Sequence, residues 1–211
     1  DRTRFYDSFR IDTTKEFPVC GPKALAQTGI DTAGSVAVGD GVTFSNNASL
    51  AYPVLAVYKP TAEMNVTRID IKISSAHQGW TLYYDVAVGL EQPSYTTYAT
   101  KAGYAYSKHI NDTISSANLG EWVSLPITST NVTTYKNLYL VLLGVPDGGS
   151  WSGATLTYTT PCANSGVYSS APAGSAWATV AADSFLHAVI HETVEFDIKM
   201  FEYKRQLYLV K

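Results

Sequence analysis

Two of the four histidines, His187 and His191, stand four positions apart in an apolar stretch, so a continuous strand puts both on one face. At about 3.3 Å per residue they are roughly 13 Å apart, too far to share one metal ion. With Phe185 and Val189 on that same face, they read as partly buried histidines of a packed strand. Glu195 and Asp197, two positions apart on one strand face, stand roughly 7 Å apart, as any alternating strand would place them. Two carboxylates over one cleft are what a glycoside hydrolase needs. Alternation with Val194, Phe196 and Ile198 nevertheless assigns this pair to a solvated outer face, and Glu121 beside Trp122 is the other acidic candidate. The segment Gly149-Ser150-Trp151-Ser152-Gly153 has the outline of a nucleophile elbow but holds Trp where the nucleophile belongs. Of His77, His109, His187 and His191, none neighbours a serine in a turn that would expose it for triad chemistry. Asp147-Gly148-Gly149-Ser150 offers oxygens for a structural calcium, yet one carboxylate makes a weak cation site and an ordinary turn is expected there. The expectation is a non-enzymatic protein with no catalytic residue, metal ligand or cofactor assigned; a glycan-cleaving enzyme is the alternative.

The aromatic residues carry more. Tyr95, Tyr98, Tyr104 and Tyr106 fall among Ser, Thr, Gly and Ala, with little nearby in sequence to bury them. Rigid amphipathic rings in a loop can stack on sugar faces while their hydroxyls bond to sugar oxygens. Trp151, Tyr168 and Trp177 form a second such group, and these seven residues are the expected ligand-binding set. Each ring taken singly could equally cap the core or pack on a neighbouring subunit. Asn47, Asn65, Asn111 and Asn131 head N-x-[ST] sequons, which mark exposed loops in a chain that is glycosylated. Cys20 and Cys162 match no metal-ligand spacing, and both a disulfide across a loop of more than about 100 residues and two buried thiols fit them.

Positioning such side chains requires a scaffold, and the pattern along the chain is that of strands. Trp80, Leu82, Tyr84, Val86, Val88 and Leu90 alternate with polar or small residues, and Ile69, Ile71 and Ile73 alternate with Arg68, Asp70 and Lys72. Isoleucines face inward there and charges outward. Leu138 to Leu143 is apolar on both faces and predicts a central strand; Val123 to Ile127, Phe185 to Ile190 and Val194 to Met200 add further strands. Helix is minor, with one turn expected at residues 22–27, where Pro22 suits a first helical position. Turn clusters between the strands suit two packed antiparallel sheets, so the fold class is all-β, an antiparallel, jelly-roll-like β-sandwich. Residues 1–33 read as an irregular N-terminal arm or docking segment and 34–202 as the sandwich domain. Residues 203–211 form a terminal strand, paired inside the sandwich or opening a further domain. The segment from Glu91 to Ala117 reads as a long irregular loop.

Composition narrows the function classes. Charged residues make up 16% of the 211, below the roughly 25% of an average soluble domain, and Thr, Ser, Gly and Tyr supply the polarity instead. Fifteen Lys and Arg against eighteen Asp and Glu leave a net charge of -3 with no basic block, so no nucleic-acid partner is expected. No apolar run reaches the roughly 18 residues of a membrane-spanning helix, and no membrane partner is expected.

The order of strand Asn65 to Ser74, strand Trp80 to Leu90, a long loop, Glu121-Trp122-Val123-Ser124-Leu125 and then Asn137-Leu138-Tyr139-Leu140-Val141-Leu142-Leu143-Gly144 resembles the jelly-roll modules of bacteriophage tail fibre and tailspike proteins and of secreted bacterial surface proteins. Those modules often carry a Trp ahead of an Asp-x-Phe-like strand, and Trp177 with Asp183-Ser184-Phe185 occupies comparable places. Phe201 to Tyr208 also looks like the opening of a further β-rich domain in such proteins. The resemblance covers roughly residues 50–208 and rests on patterned strands; residues 1–50 match nothing in it. It implies a virion or extracellular location, neighbouring virion subunits or a homo-oligomer as partners, and host attachment through a surface glycan. The alternative within that setting is a purely structural decoration or scaffold domain of a capsid or tail.

Overall fold

The computed structural model describes residues 4–19, 34–40, 51–76, 79–114, 120–146, 154–170, 176–203 and 206–210. They form an antiparallel β-sandwich of two sheets, one of nine strands and one of six. The first sheet is built on β5 (Met64–Ser75). Ile69 of β5 faces Leu125 of β8 (Glu121–Val132) on one side and Ile190 of β14 (Ala188–Tyr203) on the other, and Ile190 in turn faces Phe17 of β1 (Arg4–Pro18). This sheet continues past the end of β5 through β10 (Ala154–Thr159), to which β2 (Gly34–Asp40) and β13 (Phe185–Leu186) pair. β3 (Ala51–Tyr52) closes it beyond β2, and β15 (Gln206–Val210) pairs with β14. In the second sheet β9 (Asn137–Pro146) lies between β4 (Val54–Tyr58) and β6 (Trp80–Gly89). β7 (Tyr106–Ile110) flanks β6, and β11 (Gly166–Ser170) with β12 (Trp177–Ala182) extends the other side.

The chain weaves between the sheets. β4 lies in the second sheet, β5 in the first, β6 in the second, β8 in the first, β9 in the second, β10 in the first and β11 in the second. Strands of each sheet turn one face toward the other sheet, as in a β-sandwich. Ile69, Ile71, Ile73, Val123, Leu125, Phe185 and Ile190 from the first sheet meet Val54, Ala56, Trp80, Leu82, Leu138, Leu140 and Leu142 from the second in one core. Each fully buried Leu or Ile contributes about 1.5–3 kcal/mol. Trp80 fits because residue 144 is Gly: a Cβ there would run into the indole ring. Two hydroxyls tie the sheets together at their shared edge, where Tyr84 donates to the Pro126 carbonyl at 2.7 Å and the Thr128 amide donates to the Tyr106 hydroxyl at 2.9 Å.

Two expectations change. Residues 4–18, expected as part of an irregular arm, form β1, whose register runs from Arg4 opposite Glu202 to Pro18 opposite Val189. A hydrogen-bonded partner along most of its length makes it a strand despite a weak apolar period. The expected long loop after β6 contains a helical turn at Tyr95–Tyr98, a 3-10 turn at Lys101–Gly103 and β7. At the C-terminal end, β15 pairs back onto β14. The helical turn expected at residues 22–27 lies outside the described residues. Among those residues, no helix is long and apolar enough to cross a membrane.

Candidate functional site

Alternation along β5 turns Arg68, Asp70 and Lys72 to the outer face of the first sheet, because Ile69, Ile71 and Ile73 take the inner one. Register then sets their neighbours. His191 lies opposite Arg68 and Glu16 opposite His191, while Trp122 lies opposite Lys72 and Ser124 opposite Asp70. Strands pack at about 4.8 Å, so these side chains form rows of touching groups. His191 Nε2 stands 2.7 Å from Asp70 Oδ2. A ring nitrogen that close to a carboxylate carries the proton, which fixes the donor side of the ring. On the other side, Nδ1 is 3.9 Å from Glu16 Oε1.

Arg68 completes the cluster. Its Nη2 donates to Asp70 Oδ2 at 3.3 Å, and its Nε lies 3.1 Å from Asp70 Oδ1 but out of line for a hydrogen bond. The same Nη2 is 3.0 Å from both ring nitrogens of His191. A single atom equidistant from both cannot lie in the ring plane without colliding with the carbon between them, so the guanidinium lies against the ring face. The His191 side chain is 3% exposed, that of Asp70 21% and that of Arg68 42%, so the cluster grades from a buried base to a wet rim. Glu16, Arg68, Asp70, Trp122, Val189 and His191 line a hollow of about 290 Å³ above it.

Trp122 is half-buried, with its ring edge-on to His187 at 5.2 Å between centroids and Lys72 Nζ at 5.5 Å. Lys72, read from sequence as an outward charge, is outward but only 7% exposed. Burial draws its pKa below the ordinary lysine value, and the nearby Glu121 carboxylate opposes that shift. Beyond Trp122, at the edge where β8 of one sheet meets β7 of the other, lies a second hollow of about 280 Å³. Lys108, His109, Asp112 and Glu121 rim it over Ile110 and Ile114, and Trp122 lines this hollow too.

The ligand-binding set expected from sequence is divided by the structure. Tyr95, Tyr98, Tyr104, Tyr168 and Trp177 come together on the outer face of the second sheet. Tyr98, Tyr104, Tyr168 and Trp177 pack with Leu55, Val57, Tyr139 and Val141, and Tyr95 meets Trp177 edge-on at 5.3 Å. The segment was expected to have little to bury its rings, and the sheet corrects that: Tyr95 is 6% exposed and Tyr98 4%. Polar ends are bonded as well. Tyr98 donates to Asp85 at 2.7 Å, Tyr104 to the Tyr98 carbonyl at 3.0 Å and the Trp177 indole to the Pro93 carbonyl at 2.8 Å. Burial raises the pKa of both hydroxyls far above the ordinary tyrosine value, helped at Tyr98 by its bond to Asp85 and at Tyr104 by Tyr98, Tyr95 and Asp85. Tyr106 lies elsewhere, stacked on Tyr84 at 5.2 Å. Trp151 lies outside the described residues.

Sequence reasoning placed His187 and His191 on one face as partly buried histidines, and both are buried on the outer side of the first sheet. It missed Glu16, Arg68 and Asp70 as their neighbours and took Trp122 only as a companion of Glu121. The available signal was the unusual placing of Trp122 on the polar face of its strand; the row it joins depends on register between distant segments. Glu121 is exposed at the edge hollow. Glu195 and Asp197 belong to β14, but their side chains, like the turn Asp147–Ser150 and the Gly149–Gly153 segment, lie outside what is described. Among the described residues no group of three or more His, Cys, Asp and Glu could hold a metal ion. Cys162 is disulfide-bonded, and Cys20, the chain's one other cysteine, is outside the described residues. Of the sequons, Asn111 and Asn131 are exposed, Asn65 accepts a bond from Ser129 at 2.6 Å, and Asn47 is not described. Compared with family models, curated proteins and solved structures, the chain has no match.

Proposed function

We propose that this protein is a non-enzymatic glycan-binding β-sandwich. One observation carries the reading: a half-buried Trp122 in an open hollow on a sheet face, beside the ion pair of Arg68 with Asp70 and the His191 ring that contacts Asp70. A sugar presents an apolar C–H face and a fringe of hydroxyls. An indole suits the first, while planar, rigidly held donors and acceptors suit the second. Few polar groups in fixed positions are what orient a small ligand in a concave site. Asp70 Oδ2 contacts both Arg68 and His191, which holds both polar side chains in place. In the setting that the strand resemblance implies, a virion appendage, such a module attaches the particle to a glycan on the host surface.

The test is a glycan array with the purified protein, followed by Trp122→Ala and Arg68→Gln, each checked for unchanged thermal unfolding. Binding that falls at least about tenfold, roughly 1.4 kcal/mol, in both variants supports the reading. Binding that survives both but is lost in Trp177→Ala would move the site to the tyrosine cluster on the opposite sheet and overturn it. Reducing ends released from a polysaccharide, and abolished by Asp70→Asn, would overturn the non-enzymatic clause.

A further inference from the structure

The hollow on the face of the first sheet and the hollow at its β8 edge share one wall. Trp122 lines both, with Glu16, Arg68, Asp70 and His191 on one side of it and Lys108, His109, Asp112 and Glu121 on the other. Each hollow is small, about 290 and 280 Å³, and neither alone would enclose more than a short ligand. Their floors suit sugars in the same manner. Val189 lies under the first; Ile110 and Ile114, 8% and 5% exposed, lie under the second. The lining charges of both hollows also sum to the same sign. Glu16, Asp70, Asp112 and Glu121 outnumber Arg68 and Lys108, four carboxylates to two cations, a formal balance of -2 with histidines neutral. Like charge on a ligand costs free energy in such a site and suppresses its encounter.

From these observations, and resting on the glycan reading above, we infer that the two hollows form one track. It takes a linear glycan chain without acidic groups, which crosses from the sheet face to the sandwich edge over Trp122. The face hollow anchors one end of the bound stretch, and the edge hollow reads the next units. Occupying two linked sites on one ligand makes the second contact intramolecular, so affinity rises with chain length until both are filled. Acidic chains are disfavoured throughout.

Titration calorimetry of the whole protein with ladders of malto-, cello- and chito-oligosaccharides, from monosaccharide to hexasaccharide, tests this beside a hyaluronan ladder of the same lengths. The expected result is an affinity that climbs at least about tenfold along a neutral ladder and no comparable climb with hyaluronan. Lys108 and Asp112 are exposed at the edge, so Lys108→Ala with Asp112→Ala leaves the fold intact. In that variant the long chains should fall to the affinity of the short ones, with the short ones unchanged. Binding of short chains without any gain with length, an unaffected double variant, or preference for hyaluronan would overturn the track and leave the glycan reading standing. If no member of any ladder binds and the array is also blank, both readings fall together.

Discussion

His191 illustrates how much a single position depends on its neighbours. A histidine with a 3% exposed side chain is tolerable because Asp70 Oδ2 accepts a hydrogen bond from its Nε2 at 2.7 Å, and Asp70 is in turn held by Arg68. The tyrosine hydroxyls of the opposite sheet follow the same rule and yield a pH prediction. Tyr98 is 4% exposed and donates to Asp85 at 2.7 Å, so its ionised form is disfavoured in the fold and its pKa is raised. The unfolded chain releases that proton near pH 10 while the folded one keeps it. Above pH 10 the unfolded state therefore binds fewer protons, and stability falls as pH rises. Tyr98→Phe is expected to cost about 1 kcal/mol at neutral pH through the lost hydrogen bond and to show a shallower alkaline loss. Denaturant midpoints of both proteins at neutral pH and above pH 10 check this, and parallel alkaline curves would contradict it.

At the scale of elements, the segment between β6 and β7 acts as a cover. β9 is apolar on both faces, with Leu138, Leu140 and Leu142 in the core and Tyr139, Val141 and Leu143 outside it, and all six are buried. The outer three stay dry because Tyr83, Tyr98, Tyr104 and Trp177 lie over them. The cover is tightly folded onto itself: a Cβ at Gly103 would collide with the Thr97 carbonyl. Gly103→Ala should therefore lift the two short turns from the sheet, expose the outer face of β9 and raise the binding of a hydrophobic dye such as ANS, with stability reduced by about 1–3 kcal/mol. Unchanged dye binding and stability would show that the turn relaxes without moving the rings. Loops of this length in compact domains usually carry function or disorder; here the tyrosines bury the second apolar face of a central strand.

For the molecule as a whole, a cross-link adds to the packing of the two sheets. Cys162 is disulfide-bonded, and its amide donates to the Asp183 carbonyl at 2.6 Å, just ahead of β13 and β14. In the chain-entropy model a cross-link over a loop of more than about 100 residues contributes about 5 kcal/mol, a large share of a domain's net stability of about 5–15 kcal/mol. Cys162→Ser is expected to lower the denaturant midpoint strongly, and reduction of the parent protein should do the same. Equal midpoints for oxidised, reduced and substituted protein would assign stability to the core alone.

Period-two alternation is a local property, and from it the all-β class, the strands at Ile69–Ile73, Trp80–Val88 and Leu138–Leu143 and their inward faces were legible in the amino-acid order. The two-faced apolarity of Leu138 to Leu143 was equally legible and read as a central strand, whose outer face the fold puts under a cover. Which segment supplies that cover was not, because nothing local to Tyr95, Tyr98 or Trp177 names the strand they rest on. Nor could alternation reveal that Arg68, His191 and Glu16 share one row, since they come from strands more than 120 residues apart in the case of Arg68 and His191. Register between distant strands is set by the whole core finding its packing at once. Residue types and strand faces were thus determined by the sequence directly, while the meeting of a base, an acid, a guanidinium and an indole on one sheet was decided only by tertiary structure.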